Sequence, residues 1–339
     1  MSRQRERMNR LDEDDVRIRP TRGKSRPRSK DRPTHDEAKA GTVVAVDRGR
    51  FTVALADSET NDERTIIYAV KAREIGRKGL VVGDFVDLVG DLSGTEDTQA
   101  RIVRRQERIS TLRRTADDTD PVERVIVANA TQLAVVTATI NPDPSPGLID
   151  RAFVAAYDAG IQPMLIVTKT DLHSPAELNR MYVPLDIPVF EIHLKLPTPR
   201  LVDALRNQVT VVVGHSGVGK STLVNAIVPG TDRSTGGVNL VTGKGRHTST
   251  SVVAIPLAGG GWIVDTPGIR SFGLAHVNAD RVISSFADLA PGITNCPRAC
   301  SHDEPDCGLN LWAPDQPTAV QERLASMRRL LAGVALPAG

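Results

Sequence analysis

The fold class the sequence predicts is multi-domain: a small N-terminal β-barrel of the OB type, an α/β domain in the middle, and a small helical metal-binding unit at the end. Three observations predict it. Five short β-type runs follow Gly41, longer apolar strands alternating with helical segments take over beyond Arg114, and all three cysteines of the 339 residues fall between Cys296 and Cys307. A chain this long exceeds what one ordinary core accommodates, so several cores are expected. The expected divisions are a basic arm over 1–40, the barrel over 41–114, the α/β domain over 115–274, and the metal-binding and helical unit over 275–339.

The first forty residues carry thirteen Lys and Arg against eight Asp and Glu. Arg17, Arg19, Arg22, Lys24, Arg26, Arg28, Lys30 and Arg32 form a nearly pure basic run, broken by Pro20, Pro27 and Pro33. Such a composition cannot bury a core and is expected to be a disordered arm. It would serve either as an RNA-phosphate contact driven by counterion release or as a solubilising tail. No run of eighteen apolar residues occurs and the N-terminus lacks a secretory pattern, so a cytoplasmic chain that enters no membrane is expected.

The barrel strands are expected at Thr42 to Val46, Arg50 to Leu55, Thr65 to Val70, Phe85 to Val89 and Gln99 to Val103, with Gly83-Asp84 as a tight turn. Phe51, Tyr68 and Phe85 are its few aromatics, so base stacking would be limited. In the α/β domain, Val125 to Ala128, Leu133 to Thr137, Met164 to Val167, Val209 to Val213 and Trp262 to Val264 read as strands of a mainly parallel sheet, mostly too continuously apolar to face water. Leu148 to Tyr157 and Ser221 to Ile227 read as helices. Ser251 to Leu257, Gly259-Gly260-Gly261 and the Trp262 strand form an expected antiparallel hairpin. A helical stretch then runs to about Leu289, and an amphipathic helix from about Ala319 to Leu331 closes the chain.

Gly214-His215-Ser216-Gly217-Val218-Gly219-Lys220-Ser221-Thr222 completes the Walker A pattern between an apolar strand and a helix. Its glycines let backbone N–H groups face the β-phosphate, Lys220 neutralises β and γ oxygens, and Ser221 is a Mg²⁺ ligand. Asp265-Thr266-Pro267-Gly268 follows a buried strand; Asp265 is placed for the Mg²⁺ shell and the Gly268 N–H for the γ-phosphate. Thr168-Lys169-Thr170-Asp171, after another buried strand, matches a guanine motif: Asp171 accepts from guanine N1–H and its exocyclic amine, Lys169 lies along the base, and Thr168 stands where Asn is commoner. Base motif, phosphate loop and DxxG occur at 168, 214 and 265, an order that cuts and rejoins the usual sheet. The middle domain is therefore expected to be a circularly permuted P-loop GTPase that binds GTP or GDP with Mg²⁺.

Cys296, Cys300, His302 and Cys307 supply three thiolates and one imidazole, a closed set that favours one structural zinc with no catalytic role. An odd, local group of three cysteines argues against a disulfide framework.

With these motifs in place the chain resembles the ribosome small-subunit-dependent GTPase A family, RsgA or YjeQ, over about residues 41 to 310. Gly83-Asp84, Leu112-Arg113-Arg114, Asp150-Arg151, the three nucleotide motifs, Gly245-Arg246-His247-Thr248 and the Cys/His cluster carry the resemblance. It implies a factor in late small-subunit maturation that binds near the decoding region, contacts 16S rRNA, and leaves after GTP hydrolysis. The alternatives are a GTPase of another RNA assembly and a weakly catalytic nucleotide-sensing RNA-binding protein. Three departures from the family pattern stand out: no S-A base-supporting element between Glu191 and Leu196, a slightly shorter cysteine spacing, and the basic arm. Ile269 and Arg270 follow Gly268, so no Gln can orient water there. Gly243 to Thr250 lies where a switch belongs, with Thr248 or Thr250 expected on Mg²⁺ and the γ-phosphate and His247 on the attacking water; an RNA-phosphate contact is the other reading of His247. A monomer is expected.

Overall fold

The computed structural model describes residues 35–56, 65–75, 79–95, 98–115, 123–228, 252–266, 272, 274, 277–298 and 300–335. His247, Thr248, Thr250, Gly268 and the basic run lie outside them.

Strands β1 (Lys39–Asp47), β2 (Arg50–Leu55), β3 (Ile66–Lys71), β4 (Phe85–Gly90) and β5 (Ala100–Arg105) close into a barrel in which β1 meets both β2 and β4, β4 meets β5, and β5 runs parallel to β3. That five-stranded closure is the OB arrangement expected from the sequence. Val43, Val53, Ile67, Val86, Leu88 and Ile102 fill it, all essentially inaccessible to solvent. The first half of β1, Lys39 to Thr42, closes the barrel against β4, whereas Ala45 in its second half pairs with Val253 of β12 (Val253–Pro256). One hydrogen-bonded sheet thus passes from barrel to α/β domain.

Beyond the barrel, β6 (Thr111–Thr115) and β7 (Glu123–Ala128) form a separate antiparallel ladder. This corrects the expectation that Val125 to Ala128 joins the parallel sheet. Only residues 129–131 separate Ala128 from Gln132, where the next strand begins, too short for the parallel crossover of about a dozen residues that would lay both runs side by side in one parallel sheet, so β7 pairs antiparallel with β6 instead. The parallel sheet proper has the order β10 (Val189–Glu191), β9 (Gln162–Thr168), β8 (Gln132–Ala138), β11 (Val209–Val213), β13 (Trp262–Asp265), with β12 antiparallel at its edge. Alternate residues of these strands feed opposite cores. Val135, Val211 and Val213 face α1 (Pro146–Asp158); Val136 and Val212 face α3 (Pro199–Leu205) and α4 (Lys220–Ile227).

Helix α2 (Ala176–Tyr182) and the short strand β10 are elements the sequence reading did not identify. The C-terminal part holds α5 (Ala279–Ser284), α6 (Ala290–Ile293), α7 (Gly308–Trp312) and α8 (Thr318–Ala335). Leu324, Met327 and Leu330 of α8 enter the same core as Ile149 and Phe153 of α1. Arg329 of α8 pairs with Asp150 of α1 at 3.2 Å and stacks over the Tyr182 ring. Burial raises the Asp150 carboxyl above its ordinary range despite that guanidinium.

Candidate nucleotide site and metal centre

Strand β11 lies beside β13 and one strand away from β9, all parallel, so their C-terminal ends open on one sheet edge, the side where α/β sheets bind ligands. The base motif leaves β9, the phosphate loop leaves β11, and Asp265 ends β13. Register places Asp265 beside Val212, two residues before the loop begins. Asp265 is nearly buried, and the neighbouring Thr266 hydroxyl donates to Val212 O at 2.8 Å, tying this strand end to the loop's own strand.

The loop conformation requires its glycines. Gly214 has φ of 149°, and a Cβ there would sit 2.2 Å from Val136 O; Gly217 and Gly219 have φ of 83° and 95°. Ser216 and Ser221 are exposed on the open side, with His215 and Thr222, whereas Val218 anchors the loop in the core. Lys220 Nζ donates to Gly214 O at 2.5 Å and His215 O at 2.8 Å, spanning the loop. Its pKa is lowered by burial. The oxygen donors of Ser221 and Asp265 suit a hard cation such as Mg²⁺.

The base motif is physically joined to the phosphate loop. Thr168 Oγ1 lies 2.6 Å from Val218 O and 3.2 Å from Thr137 O, so the residue standing in the Asn position bonds the loop backbone. Lys169 adopts φ of 58°, its ammonium donates to Asn141 O, and its own carbonyl accepts from Thr139 Oγ1 at 2.8 Å. Asp171 Oδ1 accepts from Leu194 N at 3.2 Å. Leu194 and Lys195, with φ of 49° and 63°, form the turn that closes His193 onto Leu196. The turn occupies the stretch in which the S-A element was missing. Thr139, Asn141 and Leu194 were missed by the sequence reading; the Asn-Pro dipeptide at 141–142 was a loop signal that could have pointed to the first two.

In the C-terminal part, the ligand atoms of Cys296, Cys300, His302 and Cys307 lie within 4.8 Å of one another. Cys296 Sγ is 3.5 Å from His302 Nδ1 and 3.7 Å from Cys307 Sγ, and Cys307 Sγ is 3.9 Å from His302 Nδ1. Tetrahedral zinc sets S···S near about 3.8 Å and S···N near about 3.6 Å, so the four residues fit such an ion. Cys300 is turned toward Glu304, its thiol donating to Oε2 at 3.2 Å. Burial pushes the Cys300 thiol up to about 12 and lowers the His302 pKa, favouring a neutral imidazole.

The barrel is fastened beside this domain through Gly83-Asp84. Gly83, at φ of 90°, lies so close to the end of β7 that a Cβ would come within 1.9 Å of Ala128 O. Gly83 O accepts from Asn129 Nδ2 at 2.8 Å, and Ala128 N donates to Val82 O at 2.9 Å. Buried Asp84 accepts a two-pronged pairing from Arg108, at 2.7 and 2.9 Å.

A Walker loop and a DxxG strand on one sheet edge, with the guanine motif ahead of both in the chain, define a circularly permuted P-loop GTPase. The RsgA GTPase family profile matches residues 105–275. A relative from Pseudomonas aeruginosa, described as "Small ribosomal subunit biogenesis GTPase RsgA", is 39% identical over 265 residues, 75% of this chain and 76% of its own. One of the same description from Nitrosospira multiformis is 32% identical over 296 residues, 86% and 87% of the two chains. The chain belongs to the RsgA GTPase family. Among solved structures, YjeQ from Thermotoga maritima superposes with a TM-score of 0.62 at 23% identity, covering 87% of this chain and 99% of its own. YloQ, a circularly permuted GTPase, superposes at 0.61 with 22% identity, covering 88% and 97%.

Proposed function

We propose that this GTPase acts in biogenesis of the small ribosomal subunit, binding the subunit and its 16S rRNA and hydrolysing GTP to GDP and phosphate faster when bound. The observation that carries the reading is the union in one chain of an OB barrel, a permuted GTPase sheet and a Cys₃His cluster. The naming of its relatives as small ribosomal subunit biogenesis GTPases supports it. In this reading Lys169 and Asp171 recognise guanine, and Thr168 ties their motif to the phosphate loop through its bond to Val218 O. Gly214, His215, Ser216, Gly217, Val218, Gly219, Lys220, Ser221 and Thr222 cradle the phosphates, with Gly268 sensing the γ-phosphate.

Ser221 and Asp265 would hold Mg²⁺, which supplies charge neutralisation at the phosphates. Lys220 exchanges its bonds to the Gly214 and His215 carbonyls for phosphate oxygens. His247 orients water and Thr248 or Thr250 closes the site, so Gly243 to Thr250 is the segment through which the subunit accelerates turnover. The four ligands Cys296, Cys300, His302 and Cys307 hold one structural zinc. The chain works as a cytoplasmic monomer.

The test is GTP turnover by the protein alone and with purified small or large subunits. Acceleration by small subunits only, abolished in His247→Ala, is the expected result. Equal rates with both subunits, or with neither, refute the proposed partner.

A further inference from the structure

We propose that Arg328, on α8, is a positioning residue of the metal centre, clamping the ligand loop and offsetting its charge. The inference rests on the reading of the Cys₃His cluster as a metal site. Three thiolates and a divalent ion leave that cluster with a net charge of −1 in a half-buried setting, where an uncompensated charge is costly. Arg328 supplies the opposite charge. Its Nη2 stands 3.9 Å from Cys307 Sγ, and its Nε donates to His302 O at 2.7 Å.

The same guanidinium braces the loop at a second point. Nη2 donates to Asn310 Oδ1 at 2.6 Å, and Asn310 Nδ2 donates to the carbonyls of Glu304 and Pro305 at 2.9 and 3.2 Å. Three carbonyls of the segment between His302 and Cys307 are therefore fixed through one side chain of a distant helix. His302 itself adopts φ of 68°, a left-handed backbone that a non-glycine residue keeps only when its surroundings enforce it. The Arg328 bond to the His302 carbonyl is such a restraint. Only the planar fork of arginine reaches both acceptors at once; lysine, a single point charge, cannot.

Outer partners of metal ligands commonly change affinity by about 10- to 100-fold. The experiment loads the full-length protein with zinc, counts metal per chain, and follows release to a chromogenic chelator for wild type, Arg328→Gln and Arg328→Lys. Cobalt(II) spectra of the same proteins report thiolate coordination independently of activity. Arg328→Gln is expected to take up one zinc and release it about 10- to 100-fold faster, with Arg328→Lys in between because it keeps the charge and loses the clamp. Release at the wild-type rate by both variants overturns the proposal, as does a loss of thermal stability that is the same with and without metal. A wild-type protein that takes up no zinc and gives no thiolate-to-cobalt band overturns the metal reading itself, and the role of Arg328 with it.

Discussion

Replacing Thr168 by valine removes one hydroxyl at nearly constant volume, and the structure states what that hydroxyl does. Its Oγ1 is 2.6 Å from the carbonyl of Val218, a residue anchored in the core at the turn into α4. Both residues are almost inaccessible to water, so the carbonyl loses a donor that solvent cannot replace. A buried neutral hydrogen bond of this kind contributes about 1–2 kcal/mol, more when its partner is left unpaired. If the bond holds the phosphate loop in its binding shape, that energy appears as a loss of affinity of about 5- to 30-fold. The assay is titration with a fluorescent GDP analogue, with inorganic pyrophosphate as competitor. Because the effect is transmitted through the loop, pyrophosphate weakens by the same factor as GDP, and Thr168→Ser, which keeps the hydroxyl, restores both. Unchanged pyrophosphate affinity beside weakened GDP would show that Thr168 acts on the base alone and refute the argument.

Gly83→Ala places a Cβ 1.9 Å from Ala128 O at a positive φ. The backbone strain and at least one broken junction hydrogen bond together cost about 3 kcal/mol, read as a lower urea midpoint. Asp150 titrates with a native pKa raised by burial, so the folded chain holds its proton more tightly than the unfolded chain. Its contribution to stability is full below the unfolded pKa and lost as pH rises through the raised native one; Asp150→Asn removes that fall in stability above about pH 4 in urea titrations. Stripping metal with a chelator lowers the melting temperature and shifts emission from Trp312, which packs against Gly292 beside the metal loop. An unchanged melting curve would mean the four ligands hold nothing that contributes to folding.

Much of this arrangement was legible because it is local in sequence. The Walker loop, the β12–β13 hairpin around Gly259 to Gly261 and the Cys₃His cluster each declare themselves within a few dozen residues, through backbone conformations or ligand types that few alternatives satisfy. The barrel strands followed from short apolar runs between turns. What stayed hidden was long-range. Nothing near Thr168 announces Val218, and Arg328 and Arg329 are identical neighbours that reach different partners, one the metal loop and the other Asp150. Gly83 reads as an ordinary turn until Ala128 is seen against it. Val125 to Ala128 misled for a related reason: four apolar residues fit either a central parallel strand or a hairpin, and only the length of the connection decides.

The pairing of Ala45 with Val253 also has a bearing on how the chain comes into being. During synthesis β1 emerges roughly two hundred residues before β12, so the barrel can close while the second half of β1, paired with β2 on one side, still has no strand on the other. A bare strand flank invites pairing with other chains. Asp47, Arg48 and Arg50 stand at the hairpin end of that flank, where charge discourages such pairing until the GTPase sheet arrives.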